Sequence, residues 1–67
     1  MEVQRGRRYQ HYKGGVYTVV CLATDEATLA RVVVYQGSDQ QIWTRPLVHF
    51  VALVATERGE VQRFSAL

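Results

Sequence analysis

One cysteine, one proline and no long apolar run are the first things this sequence withholds. A lone Cys21 cannot close an internal disulfide, which excludes a small scaffold stapled by bridges. It lies within Val19-Val20-Cys21-Leu22-Ala23. There it reads as a small buried hydrophobe rather than a reactive thiol, which wants an electropositive, partly exposed setting. A single Pro and five Gly exclude a collagen-like or low-complexity chain. The longest apolar run, Leu47 to Ala55, is interrupted by His49 and falls far short of the ~20 residues of a membrane helix. The N-terminus, Met-Glu-Val-Gln-Arg-Gly-Arg-Arg, has charge with no apolar stretch behind it, unlike a secretory signal. A cytoplasmic location, no membrane partner and a reducing compartment are the resulting expectations.

What is present is a chain of 67 residues, room for one domain with a thin core. Hydrophobic residues make up 48% and charged residues 21%, a balance that excludes a disordered polyelectrolyte. The net charge of +2 is unevenly spread. Up to Leu22, Arg5, Arg7, Arg8 and Lys13 face only Glu2; beyond it, four Arg meet five acids. A basic N-terminal segment, residues 1–8, is expected to be flexible and could touch phosphate, so nucleic acid is one possible partner through Arg5, Arg7, Arg8 and Lys13.

β-branched and aromatic residues dominate the interior, which favours strands. Tyr9 to Tyr12 reads as a first strand, and Lys13-Gly14-Gly15 as the turn after it. Val16 to Ala23 alternates Val16, Thr18, Val20 and Leu22 on one face with Tyr17, Val19, Cys21 and Ala23 on the other. Both faces are apolar, as in a well-covered central strand. Asp25 to Arg31 reads as a polar connection, with a short helix capped by Thr24 as the alternative. Ala30 to Tyr35 is a third strand and Gln36 to Asp39 a loop. Gln41 to Arg45 is a fourth strand ended by Pro46, with Gln41, Trp43 and Arg45 sharing a face. Leu47 to Phe50 suits one helical turn after the proline, although helical spacing continues to Val54. Val51 to Thr56 and Val61 to Phe64 complete five or six short strands, with a turn at Glu57-Arg58-Gly59. The expectation is a single all-β domain over residues 9–64, a small barrel or sandwich.

The blocks Tyr9-Gln10-His11-Tyr12-Lys13-Gly14-Gly15-Val16-Tyr17-Thr18-Val19, Val33-Val34-Tyr35, Trp43-Thr44-Arg45-Pro46-Leu47, Phe50 and Arg63-Phe64, in that order, resemble the bacterial domain-of-unknown-function family numbered 1653. The resemblance covers roughly residues 6 to 64. It implies a small Src-homology-3-like barrel of the bacterial cytoplasm, and it implies no activity. Family members carry a histidine in the loop after the second strand. The matching positions here are Asp25-Glu26-Ala27-Thr28.

The chain lacks the groups that catalysis gathers. Asp25 and Glu26 are adjacent, so on a strand they would point apart, and as loop residues they read as solvated charges. His11, His49 and Cys21 are scattered, so no metal and no cofactor are expected. Lys13-Gly14-Gly15 is a hairpin turn and not a phosphate loop. The aromatic and basic surplus points instead to a non-catalytic binding module for a peptide or protein, with His11, Tyr12, Lys13, Trp43 and Arg45 as its face. Trp43 could equally fill the core, and Arg45 could bridge to Asp25, Glu26 or Asp39. A small-molecule pocket built on His11, Tyr17, Tyr35 and Arg45 is a further reading, and homodimerisation through a strand edge another.

Overall fold

The computed structural model describes residues 2–67. Seven strands and one helical turn follow in the order β1 (Arg8–His11), β2 (Val16–Thr24), β3 (Arg31–Gly37), β4 (Ile42–Pro46), α1 (Leu47–Phe50), β5 (Leu53–Thr56), β6 (Gly59–Gln62) and β7 (Phe64–Ala66). All pairings are antiparallel. Five strands form one sheet in the order β4-β3-β2-β1-β7, and β5 and β6 form a separate hairpin. The mainly-β expectation holds. The strand expected at Val61 to Phe64 is in fact two. Arg63 interrupts it by donating its N–H to the Ala52 carbonyl and accepting from Tyr12 N–H, so it joins the hairpin to β1.

The pleat of β2 departs from simple alternation. Val19 pairs with Tyr35 and Cys21 with Val34, leaving Val20 as an extra residue, a β-bulge. Before it, Tyr17 and Val19 face the core. After it, Leu22 does, opposite Val33, while Cys21 and Ala23 move to the outer face opposite Val34 and Val32. The apolar character of both strand faces reflects this change of phase. Cys21 is accordingly half-buried on the outer face and not enclosed in the core.

Tyr9, Val19, Val33, Tyr35, Phe50 and Phe64 form the buried centre, with Val3 packed against them. The packing extends beyond residues 9–64. Within the segment expected to be flexible, Val3 is buried, Gly6 N–H donates to the Val19 carbonyl, and Val19 N–H donates to that of Arg7. Gln4 N–H donates to the Tyr9 hydroxyl at 2.9 Å, which satisfies the one polar atom of a ring otherwise wholly enclosed. The Asp25 loop is a turn and not a helix. Asp25 Oδ1 accepts from Ala27 and Thr28 N–H, the local competition that disfavours helix at such residues.

Candidate functional site

Alternation places Tyr9 and His11 of β1, Tyr17 of β2, Tyr35 of β3 and Trp43 and Arg45 of β4 on the inner face of the large sheet. The registers Tyr9↔Tyr17, Tyr35↔Trp43 and Val33↔Arg45 make them neighbours. One end of that face is filled by Phe50 and Phe64, whose rings stack at 4.0 Å and 4°. The other end stays open as a cleft of ≈ 390 Å³ lined by His11, Lys13, Gly15, Tyr17, Tyr35, Trp43, Arg45 and Phe64.

Four of the five residues expected to form a binding face therefore converge: His11, Lys13, Trp43 and Arg45. Tyr12 does not join them. It lies beyond the end of β1 and lines an adjoining groove of ≈ 650 Å³ toward Thr56, Glu57 and Arg58. Its ring packs at 4.7 Å on His11 and carries the Lys13 ammonium at 5.7 Å, so it steadies two cleft residues from behind. Trp43 is 44% exposed and forms a wall of the cleft, and that exposure excludes the core alternative. Tyr17 and Tyr35, weighed above for a small-molecule pocket with His11 and Arg45, line this same cleft. Phe64, its floor, pairs with His11 across β1 and β7, a long-range partnership with no local signal. Arg5, Arg7 and Arg8 are exposed but stand at the opposite end of β1 from Lys13, about 10 Å or more away by strand rise. They do not form one patch with it.

Two glycines shape the cleft. A Cβ at Gly15 would fall 2.9 Å from Tyr17 Cε1, and one at Gly37 would fall 3.0 Å from Tyr17 Cε2. The Tyr17 ring is thus held between two backbones and meets Tyr35 edge-on at 5.4 Å. Gly37→Ala is expected to push this ring and lower stability by about 1–3 kcal/mol, the usual cost of overpacking. Denaturant unfolding of the variant measures it.

The electrostatics have one sign. The lining contains Lys13 and Arg45 and no carboxylate. Asp39, a possible partner for Arg45, accepts at Oδ1 from Gln41 N–H, as Asp25 Oδ1 accepts from Ala27 and Thr28 N–H. Arg45 Nε is buried and has no hydrogen-bond partner among the described residues. Partial burial, and then the positive charges of Arg45, Arg63 and Lys13, hold the His11 pKa below its ordinary value of 6.5. His11 Nδ1 accepts from Lys13 N–H at 3.1 Å, which leaves the neutral ring's proton on Nε2 as a donor. Among the described residues, no group of three or more His, Cys, Asp or Glu gathers where a metal could be held. No helix of the described residues is long and apolar enough to cross a membrane.

The His11 shift has a sign. The unfolded chain takes up this proton more readily than the folded one. The contribution to stability is therefore complete above pH ~6.5 and declines as the pH falls from there through the lowered value. Replacing His11 with Phe is expected to flatten that part of the stability–pH profile, which urea unfolding at stepped pH would reveal.

No curated protein matches the chain. A crystal structure of a DUF1653 protein from Bordetella bronchiseptica is 32% identical, superposes with a TM-score of 0.84, and the match covers 96% of this chain and 87% of that one. The model of the family described as "protein of unknown function (DUF1653)" matches residues 7–66. With all seven strands and the whole cleft inside that span, the chain belongs to the DUF1653 family.

Proposed function

We propose that the domain is a non-catalytic recognition module whose cleft between His11, Lys13, Trp43 and Arg45 receives a carboxylate-bearing segment of a peptide or protein partner. The observation that carries this reading is the buried Arg45 Nε without an acceptor, in a lining that has cations and no anion. A buried donor left unmade costs about 1–3 kcal/mol, and a carboxylate toward which the guanidinium turns would relieve that cost. The guanidinium offers a planar fork suited to two carboxylate oxygens. Lys13 adds charge, His11 adds an N–H donor, and the Trp43 and Tyr17 rings supply apolar walls for the carbon skeleton. A carboxylate at the mouth of the cleft would raise the His11 pKa from its lowered value, so binding would tighten as the pH falls through the range where His11 takes up its proton.

Trp43 is the only tryptophan, so its fluorescence reports on the cleft. Titration with an N-acetylated acidic peptide, its fully amidated counterpart and a single-stranded oligonucleotide tests the reading. The acidic peptide is expected to shift the emission and the amidated one to leave it unchanged. Equal responses to both peptides, or a response to the oligonucleotide alone, would exclude it.

A further inference from the structure

β4 is an edge strand, and its open side borders the cleft. Its main-chain polarity follows from the hairpin that precedes it. Gly37 N–H donates to the Gln41 carbonyl and Gln40 N–H to the Gly37 carbonyl, so Gly37 and Gln41 are a hydrogen-bonded pair. Bonded and non-bonded pairs alternate along an antiparallel ladder. Tyr35↔Trp43 and Val33↔Arg45 are then bonded pairs, and Gln36↔Ile42, Val34↔Thr44 and Val32↔Pro46 are not. The N–H and C=O groups of Ile42 and Thr44 thus point to the free side, where no main-chain partner among the described residues takes them. Pro46, with no N–H to offer, sits at the next outward position and ends the usable edge. Ile42, Trp43, Thr44 and Pro46 are all exposed.

We infer that this edge receives an extended acidic peptide as an added antiparallel strand, its main chain paired with Ile42 and Thr44 and its carboxylate on Arg45. The inference rests on the reading of the cleft given above and adds the form of the partner. Every strand pairing among the described residues is antiparallel, and an added strand continues the sheet in the same sense. Strand addition draws affinity from main-chain bonds and specificity from alternate side chains. Side chains opposite Trp43 and Arg45 fall on the inner face, toward the cleft; those opposite Ile42 and Thr44 fall on the outer face. In the antiparallel sense the residue opposite Arg45 comes first. The partner therefore reads acidic, any, apolar, any. The acid meets a guanidinium and the apolar residue meets the indole, both favourable cross-strand pairs. Charge complementarity commits the occupant to this chemistry, because the cleft beside the edge holds Arg45 and Lys13 and no carboxylate.

The test uses an N-acetylated octapeptide with glutamate, threonine, valine and isoleucine in that order at its centre. N-methylation of the threonine and isoleucine removes the donors that would face Thr44 and Ile42. N-methylation of the glutamate and valine removes donors that would face away. The parent and the second peptide are expected to bind with similar affinity, and the first at least ten-fold more weakly, with the Ile42 and Thr44 amides slowed in hydrogen exchange only in the bound state. If both methylated peptides bind like the parent while Arg45→Gln still weakens binding at least ten-fold, edge pairing is wrong and the carboxylate cleft stands. If the parent itself fails to bind at low salt, while an amidated or oligonucleotide probe does, both readings fall.

Discussion

Replacing Phe64 with Ala is expected to unfold the domain, or to leave it folded only in stabilising solvent. Phe64 is 1% exposed and its ring packs among four others. It stacks on Phe50 at 4.0 Å and meets His11, Tyr35 and Tyr17 edge-on at 4.9, 5.4 and 5.9 Å. Removing a buried Phe costs about 3–5 kcal/mol, part lost transfer energy and part the cavity left behind. A chain of this length has roughly 3–10 kcal/mol of total stability at ~0.05–0.15 kcal/mol per residue. The deletion thus consumes a third of the total at least and can consume all of it. Tyr9→Phe is the contrasting variant. It keeps the ring, loses only the hydrogen bond from Gln4 N–H, and should cost about 0.5–1.5 kcal/mol. Thermal unfolding of the two side by side is decisive. A Phe64→Ala protein that melts within a few degrees of the parent would mean that the aromatic stack is not the centre of the fold.

Arg45→Gln is expected to lower affinity for an acidic peptide by about 10–150-fold, the loss of one charge-assisted contact worth ~1.5–3 kcal/mol. Its effect on the free protein should be of the opposite kind. Arg45 holds a buried Nε with no acceptor, and its removal takes away an unsatisfied donor, so the melting temperature should stay the same or rise. A fall in affinity together with a rise in stability marks a residue retained for what it meets and not for what it holds together. A melting temperature several degrees lower would make Arg45 a structural side chain and would remove the argument from the cleft.

Much of this architecture was legible from residue order. The β-branched runs located β2, β3 and β5, the Gly pair located the first turn, and Pro46 located the single helical turn. The pleat put Trp43 and Arg45 on one face. Residue order could not say how far that face was covered, because the answer depends on how much of the inner side Phe50 and Phe64 close off from elsewhere in the chain. That is a property of the whole fold. The bulge was invisible for a different reason. Valine is acceptable on either side of a half-covered strand, so nothing at Val20 signals that it is the extra residue. The convergence of His11 and Lys13 with Trp43 and Arg45 depends on β1 lying beside β2 and β3 beside β4, and Phe64 enters only because β7 returns to β1. Tyr12 falls outside the cleft because the turn begins one residue earlier than the aromatic run suggests.

The extra residue in β2 also sets how this strand responds to a change in length. Losing one residue from a regular strand exchanges inside for outside beyond it; losing Val20 would instead remove the irregularity and leave every later pairing as it is, with Cys21 opposite Val34 and Leu22 opposite Val33. Leu22 would keep its inward place and the Cys21 thiol its outer one. A thiol-specific reagent could check this directly: a sulfur turned inward would react only as fast as the molecule opens, whereas the shortened chain should react as readily as the parent.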